Sequence, residues 1–500
     1  MSSYLNHRGY AILKSSLTLY EINTIKQDLT VTPIDLSGYG TNPQNNSFKI
    51  YLESVNKLYL PKYYGLQKFG IPSINKMNEG KNIDIEFIGN LREKQLIPIN
   101  LVINACKNPS KMGALLCLAC GEGKTVCAIY AICQLAKKTL IVVHKDFLLQ
   151  QWRERIQQFA PDARIGLIKA KIIDVENKDI VIASLQSLAM KDYDPLIFCE
   201  FGNVIFDECH HLSAKVFSQA LMKTNFIYSI GLSATPIRKD GLTKVFKWYI
   251  GDIEFISKKR TDVLEIRFKK YYDDNPDYST EHTLWNGKPN VSKLINSVCE
   301  FVPRVEFIVN EILNVLNEEP ERRFLVLSDR RNHLHLLKNC LDSKKDNIDS
   351  GYYYGGMKDH QLKETEKKQI IYSTIQYVKE GLDIKGLDTM ILASPKTDVI
   401  QISGRILRDK IEDRKHVPLI IDIVDTFGVF TNQSKKRYKY YKSCKYNIID
   451  NDCLFRQASS SETDKNNINS IIIPNKCIIQ DDEEQITIIT DKYTPEMHFF

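Results

Sequence analysis

Five consecutive residues, Gly121, Glu122, Gly123, Lys124 and Thr125, have the types and spacing needed to hold a phosphate. Two glycines let a backbone turn its N–H groups inward around an anion, and a lysine directly after them reaches the β- and γ-phosphates of a nucleotide. Thr125 can set its hydroxyl on a Mg²⁺ ion carried by that nucleotide, here ATP, and Cys120 opens the loop. The motif is imperfect, because Leu118 stands where a phosphate loop usually begins with glycine. A dinucleotide fingerprint fits worse, since Val126 occupies the place of its third glycine. A second pair, Asp207 and Glu208 in NVIFDECHH (203–211), completes what a nucleotide hydrolase needs. The aspartate can hold Mg²⁺ at a strand's end while the glutamate orients and deprotonates the attacking water. His210 and His211 lack the one-turn helical spacing of H-E-x-x-H and do not point to a separate metal site.

Those residues need rigid elements to position them. The glycine loop follows the strand-like ALLCLA (114–119) and opens the helix-like VCAIYAICQLA, which is the context a phosphate loop requires. Apolar runs of strand length continue at TLIVVH (139–144), DIVIAS (179–184), NVIFDE (203–208) and IYSIGLSA (227–234), alternating with helix-length polar segments. Strands buried on both faces and alternating with helices imply a parallel α/β sheet. A second series follows with FLVLS (324–328), IIYST (370–374), TMILAS (389–394) and PLIIDIVD (418–425). The expected fold class is α/β, with two tandem parallel-sheet domains behind a small N-terminal α+β domain. The expected boundaries are an accessory domain at 1–80, a nucleotide domain at 81–255, a connector or insertion at 256–300, a second α/β domain at 301–454 and a flexible tail at 455–500. In the helix-like LLQQWRERIQQF, Trp152 is expected to face the core and Arg153 and Arg155 the solvent.

With GEGKT, DECH and SAT (233–235) in this order, the chain resembles the DExH-box helicases of superfamily 2, in their XPB-like and type III restriction-like group. Leu91, Arg92 and Gln95 form LRxxQ, whose glutamine reads the adenine edge in related helicases. The resemblance implies that His210, Ser233 and Thr235 link the ATP site to the nucleic-acid groove. LSDRR (327–331) resembles motif IV, and EGLDI (380–384) resembles motif V, with Gly381 and Asp383 as coupling residues. QISGRILR (401–408) fits Q-x-x-G-R-x-x-R at every fixed position, with Gln401 on the ATP side. Arg405 and Arg408 would stabilise charge on the departing phosphoryl group from a second domain. Two RecA-like domains are therefore implied, the first carrying motifs I–III and the second motifs IV–VI. The likeness covers about residues 91–425 and narrows toward helicases of nucleocytoplasmic large DNA viruses, of mimivirus or poxvirus type. Poxvirus relatives act in releasing transcripts, which implies transcription machinery as a partner and host cytoplasm or virion as location. Val378 and Lys379 depart from the small residues that many relatives carry before motif V.

A motor of this kind needs a DNA or RNA track. Lys145 after the second strand, and Ser184 in ASLQS, are candidates for holding it. The densest basic run is Lys435, Lys436, Arg437, Lys439, Lys442 and Lys445, interleaved with Tyr438, Tyr440, Tyr441 and Tyr446. Either these residues track phosphates and stack on bases, or the tyrosines pack inward and the lysines face water. A net charge of +7 fits a nucleic-acid partner without requiring one. No apolar run approaches the ~18 residues of a membrane span, and the first residues lack the apolar core of a secretory signal, so the chain reads as intracellular. Its 12 cysteines are scattered and read as reduced thiols. A scaffold with a decayed motor is a rival reading, opposed by the intact Lys124, Asp207, Glu208, Arg405 and Arg408. Another is the motor subunit of a nuclease or remodelling complex without strand separation, for which no nuclease carboxylate–lysine cluster is visible.

Overall fold

Buried apolar strands set both sheets, as the two series of runs require. The computed structural model describes residues 3–34, 47–119, 121–213, 215–238, 240–257, 263–381, 384–407 and 414–450. They fall into two compact units that divide at about residue 258.

In the first unit, eight strands form one sheet in the order Ile172–Asp174, Ile165–Lys169, Ile180–Ser184, Thr139–Val143, Asn203–Phe206, Tyr228–Ser233, Gly113–Cys117, Ile253–Ile256. All pairings are parallel except that of the short strand Ile172–Asp174. Alternation along a strand sends successive side chains to opposite faces. Leu115 and Cys117 therefore enter one apolar cluster, while Ala114 and Leu116 enter another with the helices Glu93–Lys107 and Lys124–Leu135.

The N-terminal segment forms a four-stranded antiparallel sheet of Ser3–Asn6, Gly9–Leu13, Lys57–Leu60 and Leu52–Glu53. Its Tyr10, Leu58 and Tyr64 belong to the same apolar cluster as Leu115 and Val142, so it shares a core with the α/β sheet. Lys62 is fully buried at this junction and donates to the carbonyls of Met112 and Phe226 (both 3.3 Å) and of Ile227 (3.2 Å). Tyr64 meets Trp248 edge-on, with ring centroids 5.2 Å apart.

The second unit is a seven-stranded, wholly parallel sheet in the order Ser350–Tyr353, Ile370–Thr374, Phe324–Ser328, Thr389–Leu392, Leu419–Asp425, Glu265–Tyr271, Asn447–Ile449. This corrects the expected connector at 256–300. Its residues 265–271 pair with Leu419–Asp425 along the whole strand and are part of the sheet. EIRFKKY hides this in sequence because it is only half apolar. Its charged side chains find partners beside the sheet, as in Arg267 with Glu318 (2.8 Å) and Lys269 with Glu311 (2.8 Å). Along Ile165–Lys169 burial alternates, and Gly166 and Ile168 are its buried residues.

Candidate ATP site and its coupling network

Parallel register puts the motif-bearing loops on one edge of the first sheet. Cys117 pairs with Ser233, Phe206 with both Gly231 and Val142, and Val143 with Ser184. The segments that follow these strand ends are the phosphate loop, SAT, DECH, His144 with Lys145, and the ASLQS helix. Crevices at the C-terminal ends of parallel strands are where open α/β sheets bind ligands.

Residues 121–125 turn as the sequence requires. Gly121 has φ 81° and Gly123 φ 88°, a left-handed conformation that glycine adopts without steric penalty. Gly123 then caps the helix Lys124–Leu135, which places Lys124 and Thr125 in its first turn. A Cβ on Gly123 would lie 2.3 Å from the Gln95 side-chain nitrogen. The glycine is thus needed for the docking of Gln95 as well as for the turn. Gln95 Nε2 donates to the Glu122 carbonyl (2.8 Å), and its Oε1 accepts from the Arg92 backbone N–H (3.0 Å). Lys124 Nζ spans the loop to the Leu118 carbonyl (3.1 Å), and the Ala119 N–H donates to Glu122 Oε2 (2.6 Å) and Ser257 Oγ (2.9 Å). Cys120 lies outside the described residues.

The acidic pair sits directly after Asn203–Phe206. Asp207 Oδ2 accepts from the indole N–H of Trp152 (2.9 Å), and Oδ1 accepts from the Glu208 N–H (3.0 Å). Burial pushes the Asp207 carboxyl up to about 6, with the adjacent Glu208 carboxylate adding to the rise. Glu208 holds φ 47°, uncommon for a residue with a Cβ. Among the described residues, no lysine or arginine pairs with either carboxylate; the ion-pair neighbour is His210, 3.4 Å from Glu208 Oε2. A half-buried pair of neighbouring carboxylates suits a divalent cation bound together with ATP phosphates.

Trp152 is the residue at this candidate site that sequence reading passed over. It is core-facing as expected, at 1% exposure, but it also holds the acidic residue of the DECH motif. The available signal was chemical: a buried indole N–H usually finds an acceptor.

DECH and SAT are joined directly. His210 Nδ1 lies 3.1 Å from Ser233 Oγ, and the same oxygen accepts the Thr235 N–H (3.1 Å). Arg238 donates to the His210 carbonyl and pairs with Asp240. His211 stacks on His144 with centroids 4.1 Å apart, so the DECH turn also touches the loop that carries Lys145. Burial holds His144 down to about 3 and His211 to about 4, which keeps the stack uncharged at neutral pH. Lys145 is half-buried at the start of the helix Asp146–Phe159. Ser184 is buried at 6% exposure, so its hydroxyl is not open to a track as placed.

In the second unit, Arg405 is buried and donates to the Lys379 carbonyl (2.6 Å), tying the QISGR segment to the helix Ile375–Gly381 that leads into EGLDI. Gln401 and Gly381 lie in described backbone, while Asp383 and Arg408 lie outside the described residues. The basic–aromatic run on the helix Gly428–Ser443 divides in two. Arg437 is 2% exposed and holds Asp422 by two contacts (2.7 and 2.8 Å), which corrects its expected role on nucleic acid. Tyr441 donates to the same carboxylate (3.1 Å), Tyr438 packs against Phe268 and Tyr440 meets Ser403. The tyrosines therefore pack inward rather than stack on bases, whereas Lys435 and Lys436 face solvent.

The family "Type III restriction enzyme, res subunit" matches residues 88–238, and "Helicase conserved C-terminal domain" matches residues 304–410. "Putative ATP-dependent RNA helicase L396" of Acanthamoeba polyphaga mimivirus is 36% identical over 448 residues, covering 88% of this chain and 85% of that protein. The chain belongs to the superfamily 2 helicases of large DNA viruses. More distant members include the African swine fever virus protein QP509L, 26% identical over 68% of this chain and 70% of its own length. "Transcript termination protein A18" of Yaba-like disease virus is 26% identical over 79% of this chain and 78% of its own length. As a member of this family the chain is an ATP-dependent helicase that binds nucleic acid, and its two parallel sheets are the RecA-like domains of that fold. No helix among the described residues is long and apolar enough to cross a membrane.

Proposed function

We propose that this helicase hydrolyses MgATP with the residues grouped on the edge of the first sheet and that its track is RNA, in the release or termination of transcripts. The observation that carries the catalytic part is the half-buried Asp207–Glu208 pair, held by Trp152 and linked through His210 to Ser233. Lys124 with the 121–125 amides would bind the phosphates, and Gln95 with Arg92 the adenine edge. Mg²⁺, when bound with ATP, neutralises phosphate charge, and Thr125 and Asp207 are the residues suited to hold it. Glu208 then takes the proton from the attacking water. His210, Ser233, Thr235, Gly381 and Asp383 are assigned to coupling, and Lys145 to the track.

Arg405 and Arg408 are assigned to the charge that develops as the γ-phosphoryl leaves. Arginines in that position are worth on the order of 10³–10⁵ in rate in phosphoryl transfer. Their replacement by lysine should keep most ATP affinity and lose nucleic-acid-stimulated hydrolysis, because a point charge does not replace a forked guanidinium. Unchanged stimulated turnover in both Arg405→Lys and Arg408→Lys would sink the arginine assignment.

The RNA and transcription part is supported by what the mimivirus, swine fever virus and poxvirus relatives are called. Such relatives imply action inside an infected cell. ATPase activity measured in parallel with single-stranded RNA, single-stranded DNA and duplex DNA tests the substrate. Stimulation by DNA and none by RNA would overturn it.

A further inference from the structure

The helix Gly428–Ser443 has two faces of opposite character. Phe430, Ser434, Arg437 and Tyr441 are buried and bind it to the second sheet, chiefly through Asp422. On the opposite side, Lys435, Lys439 and Lys442 recur at each turn, with Lys436 beside them and Lys445 just past the helix end. All five lysines are exposed. None has a carboxylate within ion-pair distance among the described residues, and residues 428–446 contain no Asp or Glu.

Such a face opposes its own folding. Lys435 and Lys439, Lys436 and Lys439, and Lys439 and Lys442 are like-charged neighbours at i,i+3 or i,i+4, an arrangement that destabilises a helix. The buried Arg437–Asp422 pair holds the helix in place regardless. A rigid, self-repelling basic face on a helicase is complementary to a polyanion.

We infer that the lysine face of Gly428–Ser443 is a phosphodiester-binding surface for the nucleic-acid track. It deepens the helicase reading and rests on it. Because the tyrosines between the lysines are turned into the core, the contact is to backbone phosphate alone and is independent of base sequence. It also lies next to motif VI. Tyr440 OH is 3.3 Å from Ser403 Oγ, so the element that grips phosphate touches the segment that carries Arg405.

The test is the triple variant Lys435→Gln, Lys439→Gln, Lys442→Gln of the full chain, beside the matching triple Lys→Arg variant. Binding of labelled single-stranded RNA and single-stranded DNA of mixed sequence is measured across salt concentrations. For single strands each phosphate contact contributes roughly 0.7 to the slope of log affinity against log salt, so the Gln variant should lose about 2. The loss should be equal for both strands and for different sequences, the Arg variant should retain the wild-type slope, and ATPase activity without nucleic acid should not move. Should the triple variant fail to fold, Lys439→Gln alone should lose roughly 0.7 of slope. Wild-type affinity and slope in the Gln variant would overturn the inference, as would failure of the Arg variant to restore them. Wild-type ATPase unaffected by any nucleic acid would instead count against the helicase reading, and is read separately from binding.

Discussion

The two α/β units both carry acidic residues on or directly after a parallel strand, and they treat them in opposite ways. In the second unit, Asp422 and Asp425 on the strand Leu419–Asp425 are each closed by a buried arginine. Arg304 grips Asp425 at 2.6 and 2.8 Å with Tyr278 as a further donor, and Arg437 grips Asp422 with Tyr441. In the first unit, Asp207 and Glu208 follow the strand Asn203–Phe206 with neutral donors and a histidine around them. A carboxylate closed by a guanidinium is part of the scaffold. A half-buried pair with no guanidinium or ammonium paired to it among the described residues is suited to bind a cation.

The largest expected effect separates the two kinds of acid by activity. Glu208→Gln should lower ATP turnover by about 10²–10⁴-fold while ATP still binds, since only the base is lost. Lys124→Ala should weaken ATP binding itself. Both should melt close to wild type, which single-turnover ATPase, nucleotide binding and thermal denaturation together check. Normal hydrolysis by Glu208→Gln would overturn its role.

Next in size is the reverse case. Arg304→Met removes one half of a fully buried pair and should destabilise the second unit by about 3–5 kcal/mol, because Asp425 is left charged and unpaired. Denaturant unfolding reads this, and a variant as stable as wild type would break the contrast. Restoring neutrality with Asp425→Asn on top of Arg304→Met should recover part of the loss.

Trp152→Phe keeps a ring in the core and removes the N–H held by Asp207. A hydrogen bond to a charged group contributes roughly 1.5–3 kcal/mol, so turnover should fall about tenfold or more if that energy orients the carboxylate. The half-saturating Mg²⁺ concentration should rise while the ATP affinity measured without Mg²⁺ stays. An unchanged Mg²⁺ dependence would reduce Trp152 to packing.

The smallest effect concerns a third kind of buried charge. Lys62 meets only neutral oxygens, and burial lowers its ammonium from the usual 10.5 to about 8. Between pH 8 and 10.5 the unfolded chain holds this proton and the folded chain does not, so stability rises with pH there and the gain is absent below pH 8. The slope should approach about 1 kcal/mol per pH unit. Subtracting the Lys62→Met profile isolates it from tyrosine titration; parallel profiles would mean that the buried lysine is not strained.

What could be read from sequence was local chemistry. A phosphate loop compresses its requirements into residues 121–125, and an acidic motif ends its own strand at 203–208, so residue type and spacing suffice. The fully buried strands Phe324–Ser328 and Thr139–Val143 were equally legible, because burial on both faces leaves a run of four apolar residues in each. Half-polar strands such as Glu265–Tyr271 were not, since their charges are satisfied by helices distant in sequence.

Sequence by itself determined which residues are the candidates to bind and cleave a nucleoside triphosphate, and the tertiary structure decided which neighbours touch them. Trp152 reaches Asp207 only because Thr139–Val143 lies beside Asn203–Phe206 in the sheet. Gln95 reaches the phosphate loop only because Gly123 leaves room for it. The basic run 435–445 reads as one patch until folding buries Arg437 and leaves the lysines outside. In each case the deciding quantity is burial or contact across tens of residues. Strand order and helix docking set that quantity, and no local spacing encodes it.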